Sequence, residues 1–158
     1  MKETLLTVLE NTRLADGIYR LRLAGDTSAI TAPGQFVNLK LSGFFLRRPI
    51  SVCDWENGEV TLIYKVLGHG TEAMTGMAVG TALDVLTGLG NGFDLSRSGE
   101  HPLLVGGGVG IPPLYGLAKR LTAQGKRVTA VLGFNRKSEI FLAEEFRALG
   151  AEVVIATA

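Results

Sequence analysis

Arg47-Arg48-Pro49-Ile50-Ser51 is the first run in this sequence whose residue types and spacing suit a chemical task. A guanidinium presents parallel N–H donors that match the oxygens of a phosphate or pyrophosphate. Pro49 fixes φ and holds the residues after it extended. Ser51 then shares a strand face with Pro49 and offers a hydroxyl and a backbone amide to the edge of a ring. The competing structural reading has both arginines facing solvent and Pro49 marking an edge strand.

A second set follows in Ile63-Tyr64-Lys65 and Gly68-His69-Gly70-Thr71, the latter leading into a short helix expected over residues 71–77. Amides at a helix start attract phosphate. Gly70 allows close backbone approach, and Thr71 suits a helix cap that also touches phosphate. Tyr64 reads either as a ring that stacks on a ligand or as an aromatic of the sheet wall. His69 reads as an exposed turn residue with no carboxylate partner.

Two glycine-rich stretches complete the inventory. Thr87-Gly88-Leu89-Gly90-Asn91-Gly92-Phe93 keeps side chains out of the way between two sites, or is a plain turn. Gly106-Gly107-Gly108-Val109-Gly110 lies between a strand and a helix, where glycines permit a tight turn and approach of a pyrophosphate. It is not the standard G-x-G-x-x-G, and Ile111-Pro112-Pro113 after it suits a helix start. Cys53 falls on the face of Ser51, as a pocket thiol or as a small buried hydrophobe. No Ser/His/Asp triad, metal-ligand spacing or catalytic carboxylate pair is present, so no metal ligands are assigned.

These residues need elements to hold them. Residues 1–97 read as an all-β unit with strands at 5–9, 19–23, 35–41, 49–54, 60–66 and 82–86. Tyr19, Leu21 and Leu23 alternate with Arg20 and Arg22, and Asn57-Gly58 marks a hairpin. Six short strands predict a closed antiparallel barrel. Residues 98–158 read β-α-β-α-β, with strands at 101–105, 127–134 and 152–156. The helices fall at 111–124 and at 139–149, the second capped by Ser138. This is the parallel pattern of a nucleotide-binding half. Three strands and two helices leave a sheet edge uncovered, which favours a piece of a longer chain.

Bulk properties exclude other classes. Sixteen Lys and Arg against 15 Asp and Glu give a net charge of +1, which offers nothing to nucleic acid or to an anionic membrane surface. A single cysteine forms no internal disulfide and holds neither a zinc ion nor an iron–sulfur cluster alone. With no apolar run long enough to span a bilayer and no signal-peptide pattern, a cytoplasmic protein is expected.

Together these motifs resemble the ferredoxin–NADP⁺ reductase superfamily, and within it the electron-transfer subunits of bacterial dihydroorotate dehydrogenase. The residues that carry the likeness are Pro33-Gly34-Gln35-Phe36-Val37, Arg47-Arg48-Pro49-Ile50-Ser51, Ile63-Tyr64-Lys65, Gly70-Thr71, Leu89-Gly90-Asn91-Gly92-Phe93 and the run from Leu104 to Leu114. The resemblance implies a six-stranded Greek-key flavin barrel followed by a partial doubly wound nucleotide domain. It implies FAD contacts at Arg48, Pro49, Ile50, Ser51, Ile63, Tyr64, Lys65, Gly70 and Thr71, with Ser51 acting at the flavin edge. NAD is expected at Gly107, Gly108 and Gly110. The implied activity passes electrons from dihydroorotate oxidation through a [2Fe-2S] cluster and FAD to NAD⁺, in pyrimidine biosynthesis. The implied partner is a catalytic subunit, in a heterotetramer.

The family's four cluster cysteines, in a C-terminal segment, have no counterpart here, and Thr87-Gly88 stands where Gly-Pro is usual. The alternatives are a related FAD/NAD(P)H reductase subunit serving a hydrogenase or ferredoxin partner, and a non-enzymatic interaction module, with a homodimer as a further option.

Overall fold

The computed structural model describes all residues, Met1–Ala158. Six strands, β1 (Lys2–Ala15), β2 (Ile18–Ala24), β3 (Phe36–Leu39), β4 (Arg48–Glu56), β5 (Glu59–Lys65) and β6 (Ala82–Leu89), close into an antiparallel barrel in the order β1-β2-β5-β4-β3-β6. The order departs from that of the chain, as a Greek key requires. Alternation decides the inside: Leu21, Leu23, Val37, Leu39, Val60 and Leu62 are buried in one cluster. The β4–β5 hairpin turns at Asn57 and Gly58, both at positive φ, a geometry that matches strand twist.

β1 is far longer than its apolar run at 5–9. Its polar half pairs with β2 instead of fraying, because Glu10 takes Arg20 at 2.9 Å and Arg22 at 3.4 Å. A register shift between Val8 and Glu10 breaks the alternation there, and this hides the strand's length in the sequence.

A short helix, α1 (His69–Met74), crosses from β5 towards β6. Asn11 of β1 holds its far end: its side-chain amide donates to the Met74 carbonyl at 2.7 Å and the Met77 carbonyl at 3.2 Å.

After a 3₁₀ turn at Leu95–Arg97, strands β7 (Leu103–Gly107), β8 (Thr129–Phe134) and β9 (Glu152–Thr157) form a parallel sheet in chain order. Helices α2 (Pro112–Ala123) and α3 (Ala143–Ala148) connect them. Leu114, Leu117, Ala118 and Leu121 of α2 are buried, as their spacing predicts. The other sheet face stays open, with Leu103 62% and Val105 66% exposed.

The helix expected over 139–149 is a correction. Residues Lys137–Glu139 form a 3₁₀ turn, and Leu142 sits at φ 64, which stops any helix before Ala143. The chain spends those residues on burying Phe141 edge-on against Phe134. Ser138 caps nothing; its carbonyl accepts from the Asp16 amide at 3.1 Å.

Barrel and α/β unit share one apolar core. Ile18, Cys53 and Ile63 from the barrel lie in the same cluster as Leu117, Ala118, Leu142 and Phe146. The glycine stretch at 87–93 belongs to this framework as a packed corner. Phe93 donates its amide to the Pro33 carbonyl at 2.7 Å and lays its ring over Gly34. The buried Gln35 side chain donates to the Gly90 carbonyl at 3.0 Å and accepts from the Thr31 and Ala32 amides.

Gly88 is the tightest point of this corner. It stands at φ +69, and an added Cβ would meet the Ala29 carbonyl oxygen at 2.4 Å. Gly88→Ala combines positive-φ strain with backbone displacement, so it should cost about 2–4 kcal/mol. Thermal unfolding should show a Tm lower by roughly 5–15 °C. A Tm equal to that of the parent would contradict this account of the corner.

Candidate functional site

The two arginines part company. Arg47 turns to the barrel seam, where its guanidinium meets both carboxylate oxygens of Asp84 at 3.0 and 3.1 Å and Glu3 at 3.0 Å. The guanidinium holds the Asp84 carboxyl below its usual range. That contribution is complete above the ordinary carboxylate pKa and is lost as pH falls through the lowered one.

Arg48 has no carboxylate. Its Nη1 donates to the Leu46 carbonyl at 2.5 Å, and its guanidinium lies 5.0 Å from the centre of the Phe44 ring. The same guanidinium also covers Gly70 at the second position of α1. A Cβ added there would sit 2.2 Å from Arg48 Nε. The cation and the start of α1 therefore lie in direct contact, and that contact exists only because residue 70 is glycine.

Thr71 caps the helix start from the third helical position and not from the N-cap itself. Gly68 occupies the cap position, and Thr71, one turn in, folds its hydroxyl back over the loop. The oxygen accepts from the amides of Leu67 at 2.9 Å and Gly68 at 3.2 Å and donates to the Gly68 carbonyl at 3.0 Å. It fixes the shape of the loop beside Gly70. His69 is exposed and faces Glu72 at 3.8 Å, so it has the carboxylate neighbour that the sequence did not reveal.

On β4, Arg48 pairs with Leu39 and Ile50 with Val37, whose side chains fill the barrel. Pro49 and Ser51 alternate to the outer face. β4 then carries a bulge at Cys53, and a bulge lets neighbouring residues face the same way. Cys53 is buried against the α/β unit, and Asp54 also reaches α2. Ser51, two residues before Cys53, is half-buried on this same side. Burial pushes the Cys53 thiol well above its ordinary range, which favours the small buried hydrophobe over a reactive pocket thiol.

Two residues of the second set do not present their side chains to a ligand. Tyr64 is 1% exposed inside the barrel, with its hydroxyl donating to Asn11 Oδ1 at 3.0 Å and its ring stacked on Tyr19 at 5.6 Å. Burial pushes its phenol up to about 12. The stacking role read for it is corrected to that of a barrel aromatic. Ile63 is 3% exposed, in the core shared with the α/β unit. At these two positions only the backbone remains for contact with a ligand.

Lys65 does face a cleft. With Leu67, Gly107, Gly108, Gly133, Asn135 and Glu139 it lines a cavity of 670 Å³ between β5 and the carboxyl ends of the parallel strands. Ligands of open α/β sheets bind outside these strand ends. Glu139 faces Lys65 across the cleft at 3.8 Å, a neighbour that sequence spacing did not reveal.

The glycine turn divides its tasks. Gly106 has Leu114 pressed against it, at 2.7 Å from an added Cβ, so it serves strand–helix packing. Gly108 is at φ +50, and nothing lies within 4 Å of an added Cβ at Gly108 or Gly110. Gly110 is exposed in the same turn but is not among the residues lining the cleft. Pro112 and Pro113 begin α2 without N–H groups, so donors at this junction come from the glycine turn and not from the helix start.

No family model matches the chain. It is 46% identical to the dihydroorotate dehydrogenase B (NAD(+)) electron transfer subunit of Bacillus pumilus, over 99% of this chain and 64% of that protein. It is 42% identical to the subunit of the same name from Fusobacterium nucleatum, over 94% and 60%. The chain thus spans under two thirds of the length of the curated relatives it matches. Among solved structures, an NADH-dependent reduced ferredoxin-NADP oxidoreductase superposes with a TM-score of 0.86 at 30% identity, covering 98% of this chain and 57% of that one. The ferredoxin reductase of carbazole 1,9a-dioxygenase, at 20% identity and a TM-score of 0.89, covers 99% and 50% and shares the fold. Over its whole length the chain is similar in sequence to the electron transfer subunits of dihydroorotate dehydrogenase B, and its fold is shared with ferredoxin-reductase-like FAD/NAD-binding domains.

Proposed function

We propose that the chain binds FAD along β4 and α1, receives NAD(H) over the glycine turn, and serves as the electron-transfer half of a dihydroorotate-oxidising enzyme of pyrimidine biosynthesis. The observation that carries this reading is the Arg48–Gly70 contact: a guanidinium without a carboxylate is held against a helix start by a residue with no side chain. The names of the curated relatives supply the reaction.

The residues fit a flavin dinucleotide. Arg48 neutralises phosphate charge, the Thr71 loop offers backbone at the same cleft, and Ser51 donates at the ring edge from the side that faces the α/β unit. Ile50 beside Arg48 supplies apolar surface, and Pro49 keeps the strand extended. Lys65 adds positive charge at the mouth of the nucleotide cleft. Gly107 and Gly108 leave room for a pyrophosphate, and Gly110 keeps the turn open. A bound flavin exchanges hydride with nicotinamide and single electrons with a one-electron partner; the protein supplies position and electrostatics.

A [2Fe-2S] cluster does not fit the residues present. Cys53 is single and buried, and no three His, Cys, Asp or Glu side chains gather as a metal site. No helix is long and apolar enough to cross a membrane.

The 30% identity to an NADH-dependent ferredoxin-NADP oxidoreductase favours a second reading, in which the same flavin unit serves a ferredoxin partner. Co-purification decides between them. The expected result is recovery of a dihydroorotate-oxidising subunit with the tagged chain; recovery of a ferredoxin-linked or hydrogenase subunit in its place would overturn the first reading.

A further inference from the structure

α2 packs against both halves of the molecule, and its polar barrel-side contacts converge on a single strand. Lys119 Nζ donates to Asp54 Oδ2 at 2.8 Å and to Glu56 Oε2 at 3.3 Å. The next residue, Arg120, lays its guanidinium over the Trp55 ring, 3.7 Å from its centre, and donates to the Gly116 carbonyl at 3.1 Å. One turn earlier Gly116 closes the gap, with an added Cβ only 2.8 Å from the Cys53 carbonyl oxygen. Three consecutive β4 residues, Asp54, Trp55 and Glu56, are thus held by two consecutive residues of α2. Both elements begin at the proposed cofactor sites: β4 opens with Arg48 and runs through Ser51, and α2 emerges from Gly108–Gly110.

We infer that Lys119 and Arg120 are positioning residues, forming a clamp that fixes the nucleotide turn relative to the flavin-bearing strand and so sets the separation across which electrons pass. The inference rests on the proposed FAD and NAD(H) sites, but its mechanical part does not. The geometry of cofactor approach is steep in its effect, since a displacement of about 1 Å can cost 10²-fold in rate. The pairing is mixed in kind, an ion pair, a cation–π stack and a close backbone approach, and each depends on the others holding α2 against β4.

Cys53 lies beneath the clamp and is the only cysteine of the chain, so it reports on opening without any cofactor. In the chain without added FAD, labelling of this thiol by an aromatic disulfide reagent should be slow. The Lys119→Ala/Arg120→Ala double variant should label at least 10-fold faster, while Lys119→Arg, which keeps the charge that Asp54 and Glu56 bind, should stay protected. Far-UV circular dichroism confirms that the double variant is folded; if it is not, the single Arg120→Ala variant carries the same comparison. In the FAD-loaded chain the double variant should keep its FAD affinity and lose roughly 10-fold or more in the rate of flavin reduction at saturating NADH. A thiol as protected as in the parent, or an unchanged saturating rate, overturns the clamp. Failure of the parent to take up FAD sinks the functional reading instead, and the thiol comparison still decides whether α2 is clamped.

Discussion

Arg48→Ala should weaken FAD binding by about 1.5–3 kcal/mol, the scale of a charge-assisted hydrogen bond, or roughly 10–150-fold in Kd, while unfolding stability hardly moves. Arg47→Ala should do the reverse. Arg48 makes no ion pair and spends its polar contacts on one carbonyl, so its removal strips the cleft of charge without orphaning a buried partner. Arg47 is fully engaged: bidentate on Asp84 and also on Glu3, with its side chain mostly covered. Its loss leaves Asp84, at the β3–β6 seam, with only the exposed Lys40 at 3.6 Å and should cost about 1–2 kcal/mol, between the values for exposed and buried pairs. Flavin fluorescence titration and urea unfolding of both variants check this. Equal loss of FAD affinity in the two, or a loss confined to Arg47→Ala, would reverse the assignment.

The second large effect is expected from one added methyl group. Gly70 lies within α1, where alanine is the better helix former by about 1 kcal/mol, so Gly70→Ala should leave stability unchanged or slightly raised. Yet the new Cβ would stand 2.2 Å from Arg48 Nε and 2.6 Å from its central carbon. These atoms end a flexible side chain, so the fold accommodates the methyl by moving the guanidinium out of its seat. FAD affinity should fall by roughly 10-fold or more, and the double variant with Arg48→Ala should bind no worse than Arg48→Ala alone, because the two changes act on one contact. Additive losses would mean that residues 48 and 70 touch the ligand independently.

Much of this architecture is legible in the residues. Alternation in β2 and the Asn57-Gly58 turn announce the barrel, and the change of period near residue 100 announces the parallel unit. Glycines before Pro112 and Pro113 mark the nucleotide junction. What stays hidden depends on partners distant in sequence. The fates of Arg47 and Arg48 diverge because one meets Asp84, 37 residues on, and the other meets Gly70. Tyr64 could stack on a ligand or fill the barrel until Asn11, 53 residues earlier, is seen to take its hydroxyl. The clamp joins residues 65 apart. α3 was overextended for a local reason: Phe141, Leu142 and Phe146 fit helical spacing equally well whether or not Leu142 adopts a left-handed conformation.

A flavin dinucleotide with its phosphates on Arg48, beside the start of α1, underlies every role proposed for this site. Titration of the purified chain into FAD, followed by the quenching of flavin fluorescence, addresses this directly. The account predicts saturable uptake of one FAD per chain, weakening as salt screens the guanidinium. Flavin emission that stays constant as protein is added, with a folded chain, would contradict it.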